Sequence, residues 1–165
     1  MNLIPATWPA LPRCIATLCA ALAWAHALAA EASLTRYVDP FIGTDGTGHV
    51  FPGATRPFGM VAPSPDNAGG GWDYTSGYQY RAPRILGFSN THISGAGIPD
   101  LGDVLLQPAS GTPWTLASTD FSSGYRKSTE TARPGYYAVT LRDHAVRVEL
   151  TATQRVAAAP ARIGG

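Results

Sequence analysis

Only two cysteines occur in the 165 residues, Cys14 and Cys19, and both stand near the start of the chain. Charge is scarce as well: charged side chains make up 14%, with 12 Lys plus Arg against 11 Asp plus Glu and a formal net charge of +1. Neutralising phosphates takes a basic excess that this chain does not have, which excludes nucleic acid as a partner. Long apolar runs are missing too. The longest covers residues 14–25, 12 positions that fall short of the roughly 20 needed to span a bilayer. Between residues 37 and 111 no window holds a 3.6-residue apolar period, so a helical bundle is excluded. What the chain has instead is 18 Gly, 14 Pro, 45% hydrophobic and 10% aromatic residues. That is too apolar for a disordered segment and too punctuated for long helices.

The start reads as an address. Arg13 is the only charge before Glu31, the run 14–25 follows it, and small residues at Ala27 and Ala29 suit cleavage after Ala29. Residues 1–29 are therefore expected to be a secretory signal peptide, with a secreted or periplasmic product and no membrane contact once the leader is gone. Cleavage would remove both cysteines, so no disulfide framework is expected in the mature chain. Leu18 is too bulky for the position before a lipidated cysteine.

After the leader, short strands alternate with loops. Residues 59–62, 84–89 and 103–107 are candidate strands bounded by turn residues. The clearest period-2 signal comes later: Val146, Val148 and Leu150 alternate with Arg147, Glu149 and Thr151, and Tyr137, Val139 and Leu141 do the same just before. Residues 142–145 can close them into a hairpin whose turn puts His144 in solvent. The fold class expected is all-β, a sandwich, over residues 30–155.

Several motifs fail the tests their composition invites. GTDGTGH, residues 43–49, has the closely spaced glycines of a phosphate cradle, but no Lys-Ser or Lys-Thr follows and no helix begins there. It can be a tight polar loop near a ligand or a plain turn. Asp100 and Asp103 lack the order of a calcium loop. No spacing joins His49, His92 and His144 into a metal pair, and no G-x-S-x-G elbow accompanies Ser89 or Ser94. GWDYTSGYQY, residues 71–80, gathers Trp72, Tyr74, Tyr78 and Tyr80 with Asp73 and Gln79. Aromatic faces beside carboxylate and amide groups suit a sugar, whose C–H face packs on a ring while its hydroxyls find polar partners. Ordinary strand core would show the same alternation.

Three ordered blocks go further: VDPFIGTDGTGHVFPGATRPFGMVAPSPD, GWDYTSGYQY and ILGFSNTHISGAGIPDLGDVLLQP. Together they closely resemble the opening of glycoside hydrolase family 92, the secreted exo-acting α-mannosidases. The resemblance implies an N-terminal β-sandwich of the galactose mutarotase type, followed in the family by a larger (α/α)6 barrel. It also implies calcium-dependent, inverting hydrolysis of α-linked mannose, with α-mannoside glycans as the partners. In the family the catalytic carboxylates and the main calcium ligands come from the barrel, so no catalytic or metal residue is assigned here. The N-terminal domain supplies part of the wall around the terminal mannose, and the positions matching that role are Gly46, His49, Trp72, Asp73 and His92.

One departure accompanies the match. After VELTAT-R-V the alternation ends in a tail, residues 156–165, of Ala, Pro, Arg and Gly with no evident packing pattern. The expectation is a truncated sandwich domain, arising from a frame shift or premature stop, unable to hydrolyse a glycosidic bond without its barrel. A natural short protein or an incomplete gene model would give the same tail. A stand-alone secreted mannose-binding module and a non-functional truncated product are the alternative functions.

Overall fold

A computed structural model describes residues 34–67, 69–95, 102–110 and 121–164. The expected leader, residues 1–29, and its expected cleavage point lie outside these. Two units divide the chain, Met1–Leu34 and Thr35–Gly165, and all the described strands belong to the second.

The fold is all-β, a sandwich of two antiparallel sheets. The first sheet has the order β1 (Ser64–Asn67), β2 (Arg84–Ser89), β3 (Ser123–Gly124). The second runs β4 (Thr131–Arg133), β5 (Tyr136–Leu141), β6 (Val146–Ala152), β7 (Ala157–Ala158), with β8 (Ala161–Ile163) also paired to β6. Among the described residues the remaining regular structure is limited to 3-10 turns of three or four residues.

The β5–β6 hairpin forms where the period-2 pattern puts it. Tyr137 pairs with Leu150, Val139 with Val148 and Leu141 with Val146. Directly opposed residues share a face, so these six side chains make one apolar surface, and each is almost fully buried. Ile85 and Phe88 of β2, with Ala54 and Tyr125, complete the core. Burial of each large side chain is worth roughly 1.5–3 kcal/mol, which makes this hairpin the main anchor of the domain.

The other expected strands fare differently. Segment 84–89 is β2, residue for residue. Segment 59–62 is not a strand: Phe58 sits at φ 59°, Gly59 N–H donates to Arg56 O at 2.8 Å, and extended pairing starts only at Ser64. Segment 103–107 contributes a single bridge, Leu106 with Phe88. Of the strands not expected, β1 reads SPDN and has no apolar alternation to reveal it. Pairing with β2 and side-chain bonds hold it instead: Asn67 Nδ2 donates to Arg84 O at 2.8 Å, and a bulge separates Asp66 from Asn67.

Two further expectations are corrected. His144 is buried rather than solvent-facing; its Nε2 lies 3.4 Å from Phe121 O, and its carbonyl accepts from the Ser110 hydroxyl. The turn folds back onto the segment around Phe121 instead of projecting. The tail does pair. β7 and β8 add to the free edge of β6 and Glu149 N–H donates to Pro160 O at 3.0 Å, although the side chains of β8 remain exposed. Edge pairing requires only backbone donors and acceptors, which a side-chain pattern does not report.

Candidate sugar-binding site

Two small turns form the centre of the site. In the first, residues 43–49, Gly43 has φ 80° and Gly46 φ 57°, both left-handed, and a side chain at Gly48 would collide with the Gly43 carbonyl. The loop curls tightly enough that glycine is required at its closest approach. It ends at His49, a non-glycine residue at φ 50°. The second turn, Trp72–Tyr74, follows Gly71 at φ 87°, and Thr75 N–H donates back to Trp72 O at 3.3 Å.

The turns meet edge to face. The His49 and Trp72 rings lie 5.2 Å apart at 77°, and His49 Nδ1 is 2.7 Å from the Thr75 hydroxyl. His49 is 4% exposed and its Nε2 has no hydrogen-bond partner, while Trp72 beside it is 59% exposed. A buried ring nitrogen without a partner costs about 1–3 kcal/mol. This one sits next to an aromatic side chain open to solvent.

Gln79 ties the turns together. Its Nε2 donates to Gly46 O at 2.9 Å and to Asp73 O, and its own N–H donates to Asn67 Oδ1 at 2.7 Å. The Arg81 guanidinium bonds both Asp45 oxygens, at 2.7 and 3.2 Å, which holds the Asp45 carboxyl below its usual range. Gly46, His49, Trp72 and Asp73 are therefore brought together around Gln79. That amide, which the sequence suggests as a partner for sugar hydroxyls, is used on the protein's own carbonyls.

His92 has a different setting. Its Nδ1 lies 2.8 Å from Ala62 O and its Nε2 2.9 Å from Asp66 Oδ1, while Ser89 Oγ donates to Asp66 Oδ2 at 2.6 Å. Its side chain is 3% exposed, and a Cβ at Gly77 would collide with Asp66 and crowd the ring. Both ring nitrogens are thus engaged within the protein. His92 and Asp66 form one side of a polar cleft of about 170 Å³, with Tyr74, Thr75 and Thr91 on its walls. Thr75 links the two settings, since it lines this cleft and touches His49. Asp66 and Ser89 are 23 positions apart, and no local pattern could have joined them.

The described residues do not fit a calcium ion. No group of three His, Cys, Asp or Glu side chains converges among them, and the Asp66 and Asp45 oxygens already have protein partners.

Residues 37–160 match the model of the glycosyl hydrolase family 92 N-terminal domain. The chain belongs to family 92. A solved family GH92 α-mannosidase from Bacteroides thetaiotaomicron superposes with a TM-score of 0.70 at 45% identity, covering 75% of this chain and 18% of that one. The same enzyme in complex with mannoimidazole superposes with a TM-score of 0.68 at 47% identity, over 75% and 17% of the two chains. The family 92 glycosyl hydrolase ccman5 gives a TM-score of 0.68 at 27% identity, over 77% and 18%. An uncharacterized secreted glycosidase of Arthroderma benhamiae is 33% identical over 133 residues, 77% of this chain and 17% of its own length. This family 92 chain thus spans under a fifth of the relatives it matches.

Proposed function

We propose that the chain supplies the N-terminal, sugar-binding wall of a secreted or periplasmic family 92 α-mannosidase, with the terminal α-linked mannose of a glycan as its ligand. The observation that carries this is His49: a nitrogen buried without a partner, beside the exposed Trp72 ring. Trp72 packs against the C–H face of the sugar while His49 Nε2 takes a hydroxyl, as donor or acceptor according to its tautomer. Gly46 and Asp73 shape the rim, and His92 braces the adjoining cleft. The match to a mannosidase solved with mannoimidazole bound supports the choice of sugar.

Hydrolysis with inversion takes an acid and a base about 6.5–9.5 Å apart on either side of the glycosidic bond. On the family resemblance, that pair, the calcium ion and the (α/α)6 barrel that carries them are expected outside this domain. The test is calorimetric titration of methyl α-mannoside into the chain. The wild-type chain binds, Trp72→Ala abolishes the heat, and His49→Ala weakens affinity roughly tenfold, about 1.4 kcal/mol. Unchanged heats in both variants would refute the site.

A further inference from the structure

The geometry points to Gln79 as the positioning residue that sets the separation of the two turns and thereby the affinity of the wall for mannoside, an inference that rests on the sugar-binding reading above. A carboxamide nitrogen carries two hydrogens, and here one goes to each turn, on Gly46 O and on Asp73 O. The turns' own backbone bonds use other carbonyls: Gly48 N–H takes Asp45 O, Tyr74 N–H takes Gly71 O, and Thr75 N–H takes Trp72 O. The carbonyls of Gly46 and Asp73 are left to Gln79.

The strap is itself held at both ends. Tyr78 donates to Glu130 Oε1 at 2.7 Å inside the second sheet's polar core, Tyr80 N–H donates to Thr44 O at 2.7 Å, and Arg81 grips Asp45. Gln79 is 2% exposed and its backbone is fixed on Asn67, so its amide has no room to reorient. The 5.2 Å contact between His49 and Trp72 therefore depends on the buried Gln79 side chain.

Glutamine meets these demands where its nearest analogues do not. Glutamate has the same reach but sets two acceptors against two carbonyls, methionine has similar length and no donor, and asparagine is one methylene too short to bridge both turns. Hydrogen–deuterium exchange on the whole chain reads the strap directly. In Gln79→Met and Gln79→Glu, exchange over residues 44–49 and 71–75 rises at least tenfold while protection of the β5–β6 hairpin is unchanged. Equal exchange in wild type and variants overturns the role, and so does a rise that includes the hairpin, since that is mere destabilisation. Should both variants fail to fold, Gln79→Asn keeps an amide and is read in the same way.

Titration with methyl α-mannoside reads the consequence. Affinity falls tenfold or more in each folded variant, and equal affinity overturns the positioning claim. A wild-type chain that binds no mannoside refutes the sugar-binding reading and the affinity claim with it, while the exchange data still decide whether Gln79 holds the turns.

Discussion

Glu130 is buried to 1% side-chain exposure, and three donors converge on it: the Tyr78 and Tyr137 hydroxyls on Oε1 at 2.7 and 2.6 Å, and the Lys127 ammonium on Oε2 at 3.1 Å. Lys127 also donates to the hydroxyls of Tyr78 and Tyr125, both at 2.7 Å, with its nitrogen 4.3 Å from the centre of the Tyr80 ring. Removing the carboxylate leaves three donors in the interior, so Glu130→Ala should cost about 3–5 kcal/mol in chemical denaturation. Burial, reinforced by the Glu130 charge, pushes the Tyr78, Tyr137 and Tyr125 hydroxyls well above the ordinary tyrosine value of 10.0. The folded chain keeps protons that the unfolded chain gives up near that value, so stability is intact below it and falls as pH rises through it. Lys127 acts in the opposite sense, because burial lowers its ammonium, but one lysine stands against three tyrosines. Denaturation midpoints from about pH 8 to 11 should decline at the alkaline end. A flat profile would show that these hydroxyls titrate as in the unfolded chain. At this scale the sequence shows which residues are aromatic or polar but not which way they turn. Tyr78 and Tyr80 sit in the block that suggests a sugar site, yet Tyr78 points into this cluster and its ring is fully buried.

Elements were legible where burial has a period and illegible where pairing is made by backbone alone. The β5–β6 hairpin shows the first case, since one apolar face alternates with one wet face and only one register buries all six core side chains. Leu150, 1% exposed and opposite Tyr137, should cost about 2–5 kcal/mol on substitution by alanine, with the thermal midpoint as the readout. A loss under about 1 kcal/mol would mean that the core is not centred on this hairpin. β1, β7 and β8 show the second case: Ser, Pro, Asp, Ala and Arg give no alternation, and backbone pairing recruits them, β1 to β2 and both β7 and β8 to β6. Asp143 links the two sheets, accepting from Gly124 N–H at 2.9 Å and pairing with Arg84 at 3.1 Å. The Gly124 N–H, with the neighbouring arginines, holds its carboxyl below the usual range, so this contribution is present at neutral pH and is lost as pH falls through that lowered value. The two site turns fall between these cases. Their glycines and aromatics mark them in the sequence, whereas the Gln79 strap between them depends on an amide whose direction only the fold determines.

For the molecule as a whole, the question is what the proposed sugar-binding wall can do by itself. Inversion requires one carboxylic acid that protonates the leaving oxygen and one carboxylate that activates water. Around the candidate site Asp66 is bound by His92 and Ser89, and Asp45 by Arg81. Farther off, Glu130 is enclosed by its tyrosines, and Glu149 accepts from Tyr136 at 2.6 Å. On the two site turns themselves that leaves Asp73, and a single carboxylate cannot serve as both acid and base across a glycosidic bond. The purified chain should therefore release no mannose from an α-linked disaccharide, with or without calcium, while still giving a titration heat with methyl α-mannoside that Trp72→Ala removes. Calcium should also leave the thermal midpoint unchanged, since no described cluster of acidic or histidine side chains could hold it. Release of mannose would mean that this chain carries its own acid and base, and the division of labour with a barrel would have to be abandoned. Binding without release would place the chain among sugar-recognition modules in its own right, and would assign to the remaining four-fifths of its relatives' length the bond breaking alone.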